Sequence, residues 1–600
     1  MTFLHFEEQV GSGASAQLPF AACLVDAATS QIFVGRICDA PDRNALRTLL
    51  AQVQPGEVVY TVANLPMEVL SILRRLPCRP QLSPLRAAPS TMAARDRLAR
   101  YRRDQPGRLP EFLDAVLASD GVAVAVAGAM EYLEGALLGR RVLPFAVWDV
   151  LDKLCATATP TGPVPVTKRM VLDATALNAL EVLETLEGTY KGSLLDFLDH
   201  TSTPFGFRLL KQWLCAPLCD AAEIQRRQDS VEFLMQHTEI VQPLRDGMKK
   251  VPMDLERATS RIWSYALQAE RHAVMYEDIT AKRLGEFMCL LKAYEQCLHL
   301  LATTLPASRA LPERLACITR SQKQGGAFPE LQAIITHLRG SVIDVPNPKS
   351  GKSKFRPADG ADAQHDALAQ QIEQVKAKLE AELHMLRSRY PSVALAWIHR
   401  PPGERYEVEC EHDALPKAFM AGVDVTSQSK AKMRFKTQRI KDLVAELDSL
   451  EDRREDCIFP FLSRLFQEFH AHQAQFRAAV RCLSELDALL SLALASQGLA
   501  CSACRAEVVA PESPDAPGSL ELRGCRHPVA AARMGNSFVP NDAMMNAAGV
   551  PGVLVVTGPN MGGKSTVLRQ TCIAAVMAQL GCRVNADVCR LTPIDRIFTR

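Results

Sequence analysis

Eight residues, Gly558-Pro559-Asn560-Met561-Gly562-Gly563-Lys564-Ser565, constrain this 600-residue chain more than any other feature. They satisfy G-x-x-x-x-G-K-[ST] at every defined position. Ahead of them stands an apolar run, Val553-Leu554-Val555-Val556, bounded by Gly552 and Thr557, which predicts a buried parallel strand. Behind them, Lys564 to Leu580 predicts a helix, with Gly581 placed to stop it. Strand, glycine loop and helix in register imply an α/β unit, and a chance glycine-rich turn would not bring all three together. Glycines let backbone N–H groups curl around phosphates, and the helix directs its positive end at them. Lys564 would then meet the β- and γ-phosphates, and the Ser565 hydroxyl would ligate Mg²⁺. ATP with Mg²⁺ is the expected cofactor.

The rest of the chain is too long for one hydrophobic core and predicts about four domains. Hydrophobic residues make up 48% and charged residues 23%, which excludes wholesale disorder. Lys and Arg number 69 against 67 Asp and Glu, so any nucleic-acid contact must come from a local patch and not from a basic coat. The longest apolar run, Val122 to Met130, is about half a membrane span, and Glu7 and Glu8 stand where a secretory signal would be basic. The 18 cysteines are scattered and read as reduced thiols. Together these features predict a soluble, intracellular, multidomain protein with no membrane partner.

Strand and helix alternate near the N-terminus: Phe20 to Val25 and Ile32 to Val34 as strands, Arg43 to Leu50 as helix, Val58 to Tyr60 as strand. Pro160 to Pro165 reads as a linker, and from Val171 to Leu338 helices dominate. Pro346 to Gly360 reads as a loop. Leu368, Ile372, Val375, Leu379, Leu383 and Leu386 then step at near-heptad spacing, the mark of a long amphipathic helix. A β-prone insert from Val393 to about Val425 precedes a second long helix from about Thr437, with Ile440, Leu443, Val444, Leu447 and Leu450 in register. Two long helices around a small β-rich tip suggest an antiparallel lever with a head. Pro511, Pro514 and Pro517 mark a further boundary.

Between Lys430 and Lys441 six of twelve residues are basic: Lys430, Lys432, Arg434, Lys436, Arg439 and Lys441. The first four alternate with period two, as on one face of a strand, with Phe435 among them. A solvated face would explain such a run, but its density above a neutral background favours contact with a DNA backbone.

The segment Thr557 to Thr566 resembles the signature loop of the MutS mismatch-repair family, in which Asn560 and Met561 are distinctive. Leu172-Asp173-Ala174-Thr175 with Asn178, Asp254-Leu255-Glu256-Arg257, Arg526-His527-Pro528 and Phe538-Val539-Pro540-Asn541-Asp542 support it. Thr203 to Gly206 with Leu209 to Leu218, and Ala586 to Arg596, resemble the branch that supplies the specificity subunit of the eukaryotic heterodimer. The resemblance runs from about Phe20 to Arg600. It implies a connector-like α/β domain over residues 1–160 and a helical core and lever over 165–365. A lever helix with a β-rich DNA clamp would span 366–440, the returning lever helix and core 441–500, and the N-terminal part of a P-loop ATPase domain 505–600. The fold class is therefore multidomain, mainly α with α/β parts.

By the same resemblance, Phe538 stacks on adenine, with Val539 beside it, and Asn560 reaches the γ-phosphate region. Pro559, Met561, Gly562, Gly563 and Thr566 complete the nucleotide site with Gly558, Lys564 and Ser565. Lys430, Lys432, Arg434, Lys436 and Arg439 would contact the DNA backbone. Expected partners are duplex DNA with mismatches, a second MutS homologue and MutL-type proteins, and the expected location is the nucleus. The family's mismatch-reading domain, with its Phe-x-Glu motif, is expected to have no room, because the connector-like strands begin near Phe20; Phe6-Glu7 lacks the intervening residue of that motif. The acidic Walker B pair is expected beyond Arg600, so no catalytic residue is assigned within the chain.

Two other functions compete. One is a P-loop motor with coiled-coil arms in chromosome maintenance, against which Asn560-Met561 and the short lever argue. The other is a non-catalytic nucleotide-binding fragment. Cys501 and Cys504 with Cys525 and His527 could bind zinc, but the second pair falls in a stretch the resemblance already explains.

Overall fold

A computed structural model of the protein describes residues 1–9, 17–154, 169–268, 277–306, 308–346, 353–400, 404–412, 414–429, 431–499, 503–511, 513, 516–547, 549–560 and 562–599. The Pro160–Pro165 linker lies outside them, as do Lys430, Cys501 and Met561. The chain divides into two compact units: 1–264 with 289–332 and 472–600, and 265–288 with 333–471.

The first unit begins with a six-stranded mixed sheet. Its strands are β1 (Thr2–Phe6), β2 (Phe20–Asp26), β3 (Gln31–Ile37), β4 (Glu57–Thr61), β5 (Gln81–Leu85) and β6 (Val147–Val150), in the order β5-β4-β1-β2-β3-β6. The α/β expectation therefore holds, but its first strand starts at Thr2 and not near Phe20. β1 was hidden because five residues with His5 among them make no long apolar run, although it pairs with both β2 and β4. Strand alternation sends Phe3 into one core and Leu4 into another, so both faces of the sheet are covered. Helices Asn44–Val53 and Met67–Arg74 cover one face. The other is covered by Asp120–Gly135, in which the whole Val122–Met130 run is buried. Among the described residues no single helix is long and apolar enough to cross a membrane.

Helices Pro204–Cys215, Ala221–Gln236 and Gln473–Gln497 form the helical core. Thr203 caps the first through Gly206 N–H (3.1 Å), and the Asp487 carboxylate accepts from the Thr203 hydroxyl (2.6 Å) and from the Ser202 and Thr203 N–H groups. A Cβ at position 206 would sit 2.2 Å from Asp487 Oδ2, so only glycine allows this close approach. The short strand β7 (Val171–Leu172) precedes the core, and Asp173 caps the helix after it.

The second unit contains the two long helices expected of a lever. Segment 346–360, expected as a loop, contains β9 (Ser353–Pro357), which pairs antiparallel with β8 (Val342–Pro346) just ahead of it; 347–352 lie outside the described residues. The proline and lysine content of the segment masked β9, which is held by its pairing with β8 and needs no apolar run. Helix Ala363–Arg389 buries all six seam residues from Leu368 to Leu386. Helix Gln438–Asp456, capped by Thr437, buries Ile440, Leu443, Leu447 and Leu450, while Val444 is only half-buried. The two seams form one core with the tip sheet, whose strands are β10 (Ala396–Arg400), β11 (Glu404–Glu411), β12 (Asp424–Gln428) and β13 (Lys432–Lys436), in the order β10-β11-β13-β12. Val408, Cys410, Met433 and Phe435 are its inward residues.

The first unit resumes with β14 (Glu507–Val508), β15 (Leu520–Cys525), β16 (Asn541–Met545) and β17 (Val588–Leu591), in a sheet ordered β14-β17-β15-β16. β18 (Arg596–Ile597) pairs in parallel with β7 and so ties the last residues to the helical core. The run Val553–Val556 is not the buried strand its composition predicts. Val553 and Val555 are each 78% exposed, and the run pairs with no strand among the described residues. Apolar content makes a strand possible, but ladder partners for its N–H and C=O groups make it form.

Candidate nucleotide and DNA sites

Helix Lys564–Leu580 starts at the predicted lysine and ends against Gly581, which adopts φ 89°. The residue before the helix, Gly563, has φ 87°, a conformation that costs glycine nothing, and it supplies no side-chain cap. The first N–H groups of a helix lack intrahelical acceptors and carry its positive end, so this start suits an anion. At position 562 a Cβ would meet the Pro559 carbonyl oxygen at 3.0 Å, so the turn leaves a side chain little room there.

The Lys564 ammonium folds back over the loop, donating to the carbonyls of Gly558 (2.6 Å) and Pro559 (2.7 Å). Asn560 and Ser565 are exposed and Thr566 is half-exposed. The predicted loop residues thus converge on one helix start, save Met561, which lies outside the described residues. Their expected strand support at Val553–Val556 is missing, as noted above.

Phe538 is 8% exposed and Val539 is 73% exposed. Asn541 Nδ2 donates to the Val539 carbonyl (3.0 Å) and lies 3.5 Å from Gln570 Oε1, which sets this stretch beside the helix that follows the loop. His527 caps helix Pro528–Met534, its Nδ1 accepting from Ala530 N–H at 3.4 Å. Burial pushes this imidazole down to about 4. The far end of the loop helix is tied to the chain near β18, and the residues just past it to the helical core. Gln579 exchanges hydrogen bonds with the backbone of Ile594 (3.0 and 2.8 Å), and Arg583 forms a two-pronged pair with Glu232 (2.7 and 2.9 Å).

On the tip, strand β13 has the predicted alternation: Met433 and Phe435 point inward, while Lys432, Arg434 and Lys436 share the outer face. Sequence reasoning missed what that face also holds. Glu409, opposite Arg434 on β11, accepts from Lys432 Nζ (2.5 Å) and Arg434 Nε (2.8 Å). Hydrogen bonds from Lys432 and then Arg434 hold its carboxyl below the ordinary range. Lys441 pairs with Asp424 at 2.6 Å. Arg439 is exposed on the first turn of the returning helix. Lys430 lies outside the described residues.

A mainly helical, multidomain chain, with an antiparallel helix pair bearing a β tip and a phosphate-loop sequence opening a helix, defines a class of protein with a helical arm and a nucleotide loop. Within that class the chain belongs to the MutS family: residues 175–493 match MutS domain III, and residues 554–600 match MutS domain V. It is 31% identical to the DNA mismatch repair protein Msh6 of Homo sapiens over 97% of its own length and 46% of that protein's. It is 30% identical to Msh6 of Gallus gallus, covering 98% of this chain and 47% of that one. Identity to MSH6 of Arabidopsis thaliana is also 30%, over 98% and 46% of the two chains. The chain thus spans about half the length of the curated relatives it matches.

Proposed function

We propose that this chain works in DNA mismatch repair as part of a MutS-type subunit that binds mismatched duplex DNA under the control of ATP. Its partners would be a second MutS homologue and MutL-type proteins, and its place the nucleus, in keeping with the eukaryotic Msh6 relatives. The observation that carries this reading is the glycine-shaped helix start at Lys564, inside the span that matches MutS domain V. Its residues fit a bound nucleotide: backbone space at Gly562, the left-handed Gly563, and an ammonium parked on nearby carbonyls.

In this reading residues 505–600 are the start of a P-loop ATPase domain. Lys564 holds the phosphates and Ser565 holds Mg²⁺, with Gly558, Pro559, Asn560, Met561, Gly562, Gly563 and Thr566 around them and Phe538 and Val539 on the base side. The bound nucleotide and Mg²⁺ supply a transferable phosphoryl group with its charge partly neutralised. The chain's own part is positioning. Lys564 exchanges two carbonyl acceptors for phosphate, and the helix behind it passes any shift to the Gln579 and Arg583 anchors. Lys432, Arg434, Lys436 and Arg439 on the lever head would grip the DNA backbone. Phosphate contacts of that kind position a duplex and carry no sequence information.

Lys564→Ala in the full-length protein with its partner tests this. It is expected to weaken ATP binding by about tenfold or more, because a charge-assisted contact is lost. Equal ATP affinity in the variant and the wild type would remove the assignment.

A further inference from the structure

In the first unit a cavity of about 850 Å³ lies between the β2–β3 turn and the helical core. Six arginines line it. Two of them are neutralised where they stand. Arg208 spans Asp254 (2.8 and 2.9 Å) and Glu256 (2.9 Å), and Arg314 pairs with Glu485 (2.8 Å). Arg169, Arg227 and Arg477 meet no carboxylate within ion-pair distance among the described residues. Arg169 donates to the Ala216 carbonyl (3.2 Å). Arg227 is buried, lies 3.7 Å from the Trp213 ring centroid and donates to the Leu580 carbonyl (3.1 Å). Arg477 donates through Nη2 to the carbonyls of Thr29 and Phe145, both at 3.2 Å. On the sheet side Asp26 accepts from Ala28 N–H in the β2–β3 turn and Asp149 from Val150 N–H on β6, at 2.9 Å each.

The cluster is under electrostatic load. Burial pushes Arg227 down to about 9 and Arg477 down to about 10, with neighbouring arginines adding to both shifts, yet both stay cationic at neutral pH. Two donors remain unfilled: Arg477 Nη1 and the Thr29 hydroxyl are buried without a hydrogen-bond partner among the described residues. Buried donors and unpaired cations of this kind cost free energy unless something accepts from them.

We propose that this cavity is a binding site for a phosphate-class oxyanion, gripped by Arg169, Arg227 and Arg477 with the Thr29 hydroxyl as a further donor. Guanidinium groups suit the oxygens of phosphate through paired N–H donors. The volume falls in the usual range for small-molecule sites, so the anion is either a free phosphate or pyrophosphate or the phosphate end of a nucleotide. Because Thr29 belongs to the β2–β3 turn, and Arg227 and Arg477 to helices of the core, the anion would fasten one to the other.

The test is calorimetric titration of pyrophosphate, and separately of a non-hydrolysable ATP analogue, into the full-length protein with its partner, this protein carrying Lys564→Ala throughout to silence its phosphate loop. Saturable pyrophosphate binding is expected, weakened about tenfold or more by Arg477→Gln. Arg481→Ala is the second variant, because Arg481 lines the cavity from an exposed position and its loss does not threaten folding; it is expected to weaken binding several-fold. Tighter binding of the analogue than of pyrophosphate would identify the nucleotide source, and the reverse a free oxyanion. No binding of either probe at millimolar concentration, or affinities unchanged in both variants, would overturn the proposal and leave the phosphate-loop reading untouched.

Discussion

His527 holds the start of helix Pro528–Met534 with a nitrogen that must stay unprotonated to accept from Ala530 N–H. Burial is the main force that lowers its proton affinity to about 4, and Arg569 and Arg533 nearby push the same way. The folded value lies below the ordinary one near 6.5, so at pH 7.5 neither state is protonated and nothing is lost. As pH falls through 6.5 the unfolded chain takes up a proton that the folded chain refuses, and stability drops until pH nears 4. Between pH 7.5 and 5.0 this is worth at most about 2 kcal/mol. Asn can cap a helix without titrating, so His527→Asn is expected to flatten that part of the pH dependence. Urea unfolding followed at both pH values decides it: an unchanged slope in the variant would mean that other groups account for the acid sensitivity. The sequence marks Arg526-His527-Pro528 only as a family stretch, because a cap is defined by a distance to a backbone N–H and not by spacing.

At the scale of elements, the outer face of the tip sheet is less basic than its strongest strand. Glu409 serves both Lys432 and Arg434, so two of the three cations on this face are already engaged within the sheet and offer phosphate less than three unpaired cations would. The expected loss of salt dependence in DNA binding is therefore nearer two phosphate contacts than three. Glu409→Gln is expected to act in the opposite sense, tightening binding to matched and mismatched duplex alike and steepening the salt dependence by about one contact. Affinity measured across a salt series in both variants checks this, and weaker binding by Glu409→Gln would show that the carboxylate orders the strand more than it shields it. The seams from Leu368 to Leu386 and from Ile440 to Leu450 were legible in the sequence because helical spacing alone sets which residues face inward. The inward Met433 and Phe435 were legible for the same reason on a strand. Glu409 was not, since it meets Arg434 only through the register of β11 on β13, which spacing within either strand does not encode.

Across the whole molecule, order follows the supply of partners. Helix Gln473–Gln497 is buried along most of its length, and the lever seams share one core with the tip sheet. The glycine-rich stretch before Lys564 has neither advantage: Val553, Leu554 and Val555 are 78%, 47% and 78% exposed, and they pair with no strand among the described residues. The loop motif and its helix could be read from the sequence because glycine geometry and helix starts are local. The strand could not, because a strand exists only in its neighbours' hydrogen bonds. Segments with few buried contacts and unpaired backbone open at the lowest free energy, and proteases that favour apolar residues find them first. Thermolysin acting on residues 1–600 is therefore expected to cut first between Gly552 and Gly558, well before any site in the buried helices or the lever seams. ATP with Mg²⁺ should slow that cut if Lys564 leaves its loop carbonyls for phosphate, because the loop would then be fastened at both ends. First cuts mapped by mass spectrometry to the Leu368–Leu386 or Gln473–Gln497 helices would show that the order of stability runs the other way, with the nucleotide loop as the firmer part.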